Sequence, residues 1–194
     1  MAALPTPIFT TSKCIVRPYA PSDAEAIALV ANDPRVRATM RDRFPSPYTL
    51  AAAEFWIEHS NSATPVLNFV VCTPDNVPAG AIGLEAVPHA DNDVARGTLE
   101  LGYWLGNRHW GKGIMGDAAR HFVRWAFAQF PDLVRIDGSI VEGNAGSEKV
   151  LLRAGFVKEG LKRCAITKNG KVSGEVIFGL IRQDLEGEGV SGSA

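Results

Sequence analysis

The chain has 194 residues, the size of one domain, and can bury a core without disulfide or metal staples. It is 46% apolar and 21% charged, which excludes collagen-like, coiled-coil and wholly disordered architectures. The 20 basic residues against 21 acidic ones leave a net charge of -1, so the broad basic surface of a non-specific nucleic-acid binder is absent.

Cys14, Cys72 and Cys164 are odd in number and widely spaced, with no C-x-x-C pair. That pattern points away from a disulfide framework or a zinc site and fits a reducing compartment. His59, His89, His109 and His121 form no H-x-x-x-H pair. No apolar run approaches the ~20 residues that span a bilayer. Met1 to Ser12 lacks a basic region and is interrupted by Pro5 and Pro7, so no signal peptide is read and a cytoplasmic location is expected.

Taken in order, the first ~10 residues read as loose. Lys13 to Pro18 reads as a short strand. Pro21 to Ala31 reads as a helix with Ser22 or Asp23 near its N-cap. Asp33 to Met40 opens on Pro34 as a second helix, and Thr49 to Ser60 is a third, started by Thr49. Leu67 to Thr73 is a buried-type strand, TPDNVP turns, and Ala79 to Val87 is another strand. The polar stretch from Pro88 to Gly97 follows, and then the strand Thr98 to Leu105.

Gly113 to Gln129 carries the clearest helical period. Ile114, Ala118, Phe122, Ala126 and Phe130 form one row, and Met115, Ala119, Val123 and Phe127 a second beside it. Val134 to Val141 is a strand. Ala145 to Ala154 is a helix with Asn144 as N-cap and Gly155 as its stop. Phe156 to Thr167 and Val172 to Arg182 form a hairpin around KNGK, and 186–194 reads as a disordered tail. Three successive strands predict an antiparallel meander. The crossover through the long helix predicts parallel strands on either side of it. The fold class is therefore mixed α+β, in a single domain over 1–194 with its core at about 12–185.

The informative stretch is LELGYWLGNRHWGKGIMG, Leu99 to Gly116. It runs strand, glycine-rich turn, helix. The first N–H groups of a helix lack internal partners and carry partial positive charge. Glycine lets a ligand approach that backbone closely. Gly111, Gly113 and Gly116, flanked by Arg108 and Lys112, thus suit a phosphate or pyrophosphate. The bland reading is a tight turn whose glycines serve geometry alone. A nucleoside-triphosphatase loop would need Ser or Thr where Gly113 stands, to hold magnesium. A dinucleotide fold would need an acidic strand end about 20 residues on, and Asp132 and Asp137 flank the start of the next strand instead.

Arg108-x-x-Gly111-x-Gly113 resembles the Q/R-x-x-G-x-G/A signature of the GNAT acyltransferases. The wider ELGYWLGNRHWGKG is similar to the branch that includes bacterial ribosomal-protein N-terminal acetyltransferases. Asn144-x-x-Ser147, Val150-Leu151 and Ala154-Gly155-Phe156 resemble a second block of that branch, and Asp42 to Thr49 its acceptor-side loop. The resemblance covers about residues 12–185. It implies a central mixed, mostly antiparallel sheet of about six to seven strands flanked by helices. It implies acetyl-CoA as co-substrate, no metal, and a primary amine as acceptor, either a protein N-terminus or a small molecule. Transfer would be direct, in a ternary complex.

On that resemblance, backbone N–H groups from His109 to Met115, including those of Trp110 and Ile114, hold the CoA pyrophosphate. His109 is read as a loop residue rather than a base. Tyr103, Trp104 and Leu105 splay from the neighbouring strand and pair with pantetheine amides as a sheet edge would. A backbone N–H there would polarise the thioester carbonyl. Asn144 is an N-cap, a ligand of the pantetheine arm, or both. Lys149 and Arg153 form a solvated helix face or meet the nucleotide end of CoA.

An alkyl ammonium must lose a proton before it attacks. Glu100 and Glu85 are the carboxylate candidates, and each is alternatively an ion-pairing strand residue. Ser147 donates a hydrogen bond to the leaving sulfur or caps its helix. Phe44 and Tyr48 would wall the amine pocket, Glu85 would attract its cation, and Trp56 reads as core packing. Asp91 and Asp93 would shape the entrance, with no EF-hand spacing for calcium. No nucleic-acid or membrane partner is expected, and the protein would be a monomer or homodimer. A non-catalytic acyl-CoA-binding module is the alternative.

Overall fold

The structure is a computed structural model that describes residues 3–87 and 97–186. The entrance loop with Asp91 and Asp93, and the tail beyond Glu186, lie outside the described residues.

Among the described residues eight strands form a mixed sheet in the order β1-β2-β3-β4-β5-β6-β8-β7. They are β1 Phe9–Thr10, β2 Ile15–Arg17, β3 Asn68–Cys72, β4 Pro78–Ala86, β5 Thr98–Leu105, β6 Arg135–Val141, β7 Val157–Lys168 and β8 Lys171–Ile181. The helices are α1 Ala24–Ala31, α2 Pro34–Thr39, α3 Leu50–Ser62, α4 Ile114–Gln129, α5 Ala145–Arg153 and α6 Arg182–Glu186. The expectation of six to seven strands is corrected to eight. The added strand is β1, whose two residues pair antiparallel with β2, Phe9 opposite Val16 and Thr10 opposite Ile15. Part of the supposedly loose start is therefore held in the sheet. A two-residue strand has no period of its own to read and exists through its partner.

The described chain divides into two compact units, Met1–Leu84 with Gly102–Ala118 and Glu85–Leu101 with Ala119–Ala194. In the first, β2, β3 and β4 pair antiparallel. Its core gathers Tyr19, Ile27, Tyr48, Ile57, Val70 and Cys72, with Phe44, Trp56 and Trp104 packed against it. Trp56 takes the packing role expected of it, and its indole Nε1 donates to the Tyr19 hydroxyl at 3.3 Å. Helices α2 and α3 start where their caps predict. Asp33 accepts from the Arg35 backbone at 2.8 Å, and Thr49 from the Ala52 backbone at 3.2 Å.

The helix expected from Pro21 instead begins as a 3-10 turn, Pro21–Asp23, before α1. Neither Ser22 nor Asp23 caps α1 through its side chain. The Asp23 carboxylate accepts from the Ala20 backbone at 2.8 Å and takes a bidentate pair from the Arg17 guanidinium at 2.7 and 2.9 Å. Both side chains are buried, and an isolated buried guanidinium would be far more costly than a poorer helix cap.

In the second unit β5 and β6 run parallel, as the crossover requires, with Thr98 to Glu100 opposite Arg135 to Asp137. The β7–β8 hairpin turns on Asn169 and Gly170, both at positive φ, and β8 pairs antiparallel with β6. Gly138 of β6 lies beneath α5, where a Cβ would sit 3.1 Å from the Leu151 side chain. Every residue of the two apolar rows that lies on α4 is buried, and Phe130, just beyond the helix end, is half-buried.

Candidate functional site

In the first unit β5 leads into a tight connection. The Gly106 N–H donates to the Ala79 carbonyl at 2.8 Å, and Asn107–His109 make a 3-10 turn. The Trp110 indole donates back to the Leu105 carbonyl at 2.6 Å, closing the loop on the strand that supplies it. Gly111 and Gly113 both lie in the left-handed region, at φ 74° and 76°. A Cβ in either position would be strained.

Helix α4 then starts. Its first helical bond runs from the Asp117 N–H to the Gly113 carbonyl, at 3.1 Å. The N–H groups ahead of Asp117 are thus the ones a helix leaves without internal acceptors. Arg108 and Lys112 are exposed beside them. The His109 pKa is lowered by burial first, then by the Arg108 and Lys112 charges, with Asp75 opposing. His109 itself closes the 3-10 turn Asn107–His109.

A third base joins this loop, one that local sequence does not reveal. Lys13 Nζ lies 3.1 Å from where a Cβ on Gly113 would sit. Its turn is tied to α4 by Thr11, whose hydroxyl donates to Asp117 Oδ2 at 2.5 Å and accepts from the Lys13 and Cys14 N–H groups, each at 3.1 Å. The acid in the first turn of α4 was the only possible signal, and nothing near it in sequence names Thr11.

Phe44, Tyr48 and Trp104 come together in the first unit. Ring centroids are 4.9 Å apart for Phe44 and Tyr48, 5.7 Å for Phe44 and Trp104, and 6.5 Å for Tyr48 and Trp104. Tyr48 is buried, and desolvation pushes its phenol up to about 12, so it is neutral at physiological pH. Trp104 has two features: a side chain in this aromatic wall and a backbone on the strand that enters the glycine loop.

In the second unit Glu85 stands near the end of β4 and Glu100 on β5, both half-buried. Glu100 Oε1 accepts from the Ser139 hydroxyl of β6 at 3.1 Å. Glu100 stands opposite Asp137 in the parallel β5–β6 register. Asn144 caps α5, its Oδ1 accepting from the Ser147 N–H at 3.1 Å. Ser147 is half-buried, while Lys149 and Arg153 are exposed. Among the described residues no helix is long and apolar enough to cross a membrane.

Residues 13–157 match the acetyltransferase (GNAT) domain family. The chain is 38% identical over 96 residues to the probable N-acetyltransferase YjcK of Bacillus subtilis (strain 168), an overlap of 48% of this chain and 52% of that one. The chain spans about half the length of the first curated relatives it matches. Its fold is similar to that of ribosomal-protein-S5-alanine acetyltransferase from Vibrio fischeri. There the TM-score is 0.76 at 25% identity, over 91% of this chain and 97% of the other. It is also similar in fold to the microcin C7 self-immunity acetyltransferase MccE, solved in complex with acetyl-CoA and AMP. That match has a TM-score of 0.73 at 22% identity, over 88% of this chain and 93% of the other.

Proposed function

The chain belongs to the GNAT acetyltransferase family, and from that premise we propose that it transfers an acetyl group from acetyl-CoA to a primary amine by direct attack. The observation that carries this reading is the loop between β5 and α4. Left-handed Gly111 and Gly113 stand directly before a helix N-terminus, among Lys13, Arg108 and Lys112. Such a site favours a pyrophosphate.

The amine is a protein N-terminus or a small molecule, and its apolar portion lies against Phe44 and Tyr48. A carboxylate, Glu100 or Glu85, takes the ammonium proton directly or through a water. The amine nitrogen then bonds to the thioester carbonyl carbon. Collapse of the adduct breaks the C–S bond; the CoA thiolate leaves with a hydrogen bond from Ser147 and takes up, directly or through water, the second proton that the nitrogen sheds as it becomes an amide. The β5 backbone around Tyr103 to Leu105 pairs with the pantetheine amides, and Asn144 adds a side-chain donor to the same arm. Burial raises the pKa of Cys14 and pushes that of Cys72 up to about 12. Thiols held protonated in this way are poor nucleophiles, which favours direct transfer over an acyl-enzyme. The working unit is a single cytoplasmic domain over about residues 12–185.

Thermal unfolding with acetyl-CoA, CoA and Mg-ATP in parallel tests the reading. A ligand at about 100 times its dissociation constant stabilises the native state by about 2.7 kcal/mol. The expected result is a rise with both CoA species and none with Mg-ATP, followed by amine-dependent thiol release. A rise with Mg-ATP alone overturns the reading. A rise with CoA but no thiol release across peptide and small amines makes the chain an acyl-CoA-binding module instead.

A further inference from the structure

Lys13 is an exposed residue in the turn between β1 and β2, remote in sequence from the glycine loop. Its ammonium nevertheless lies over Gly113, with Cδ 4.0 Å and Nζ 3.1 Å from the position of a Cβ there. The turn that carries it is fixed. The Thr11 N–H donates to the Cys14 carbonyl at 2.8 Å, and the Thr11 hydroxyl is bound to Asp117 in the first turn of α4. The latch thus fixes the backbone from which Lys13 reaches the start of α4.

Electrostatics makes that placement unfavourable by itself. The N-terminal end of α4 carries partial positive charge, and Arg108 and Lys112 flank the same loop. The carboxylate in the first turn of α4, Asp117, accepts from the Thr11 hydroxyl. Like charges gathered on one glycine loop repel until an anion arrives among them.

We propose that Lys13 is a phosphate-binding residue for the donor. Carried to Gly113 on the turn that the Thr11–Asp117 latch fixes, it adds a side-chain ammonium to the loop's backbone N–H groups around the CoA pyrophosphate. The inference rests on the acetyl-CoA reading above. It assigns Lys13 to binding and leaves the reacting atoms to other residues.

The test compares the wild type with Lys13→Met, which keeps the stem and removes the charge, and with Lys13→Arg. Each is titrated calorimetrically at low salt with CoA, dephospho-CoA and pantetheine. A lost charge-assisted contact weakens binding by roughly tenfold. Lys13→Met should weaken CoA and dephospho-CoA by the same factor and leave pantetheine unchanged. Lys13→Arg should recover most of the loss. In turnover, KM for acetyl-CoA should rise with kcat unchanged, and the ligand-free melting temperature should not fall below the wild-type value. Unchanged CoA affinity in Lys13→Met overturns the assignment. So does a loss confined to CoA, which would place Lys13 on the 3′-phosphate, or an equal loss with pantetheine. Failure of the wild type to bind CoA overturns the acetyl-CoA reading itself.

Discussion

The side-chain oxygen of Asn144 accepts the backbone N–H of Ser147 at 3.1 Å, so the residue at the mouth of α5 is a true helix cap. The cap uses Oδ1 and leaves the Nδ2 donors for a ligand carbonyl. Capping and binding to the pantetheine arm are thus compatible in one side chain.

They separate by substitution. Asn144→Ala removes both and should cost about 1 kcal/mol of stability. Asn144→Asp keeps a capping oxygen and loses the donor, so its melting temperature should stay near wild type while KM for acetyl-CoA rises as in Asn144→Ala. An Asn144→Asp enzyme with wild-type KM would leave the residue a cap alone.

Arg182 shows what local patterns leave unread. The expected hairpin strand ran through it, but β8 ends at Ile181 and Arg182 opens α6. Its guanidinium donates to the carbonyls of Phe127 and Leu133 at 2.9 Å and of Phe130 and Pro131 at 3.3 Å, and it sits 5.1 Å from the centroid of the Phe127 ring. These carbonyls lie at and just beyond the C-terminal end of α4, where a cation also complements the helix dipole. Arg182→Met should cost roughly 2–3 kcal/mol, a drop of about 5–10 °C in a chain of this size. Differential scanning calorimetry checks it, and a shift under about 2 °C would mean that water replaces the clamp.

The division between legible and illegible features follows range. Pro34, Thr49, Asn144, Gly155 and the Asn169-Gly170 turn act on their own neighbours, and each marks its element in the sequence as the structure has it. Asp23 also looked local, yet its charge is committed to Arg17, a partner that overrides the cap. β1, the Thr11–Asp117 latch and Lys13 over Gly113 depend on residues far along the chain, and no period or spacing encodes them. For the candidate site, the glycine loop is legible because its conformation demands glycine. Whether Glu100 or Glu85 serves the proposed proton transfer is illegible because a strand Glu looks the same whether it pairs with Ser139 or with a substrate.

The three cysteines differ in exposure. Cys14 and Cys72 are buried, and Cys164 is exposed on β7. Burial holds the first two thiols protonated. An aromatic disulfide reagent should therefore titrate one thiol in the native protein and three after unfolding. If transfer is direct, as proposed, blocking Cys164 should leave amine-dependent CoA release unchanged, because that route uses no cysteine. Loss of activity on that modification, unrelieved by Cys164→Ser, would point to an acyl-enzyme.

His109 ties the glycine loop to pH. Its pKa is lowered by burial and then by the charges of Arg108 and Lys112, so the folded state binds its proton less readily than the unfolded chain. The stabilising contribution is therefore present above the unfolded value of about 6.5 and is lost as pH falls below it. An anion bound at the loop would offset the Arg108 and Lys112 charges and should raise the His109 pKa. Binding then takes up protons, and CoA affinity should strengthen as pH falls through the window between the free and bound values. Proton NMR of the His109 ring, free and with CoA, measures both values. Calorimetry near pH 6 in buffers of different ionisation enthalpy counts the protons taken up. A His109 titration that CoA leaves unmoved, with no buffer dependence, would place the pyrophosphate away from this loop.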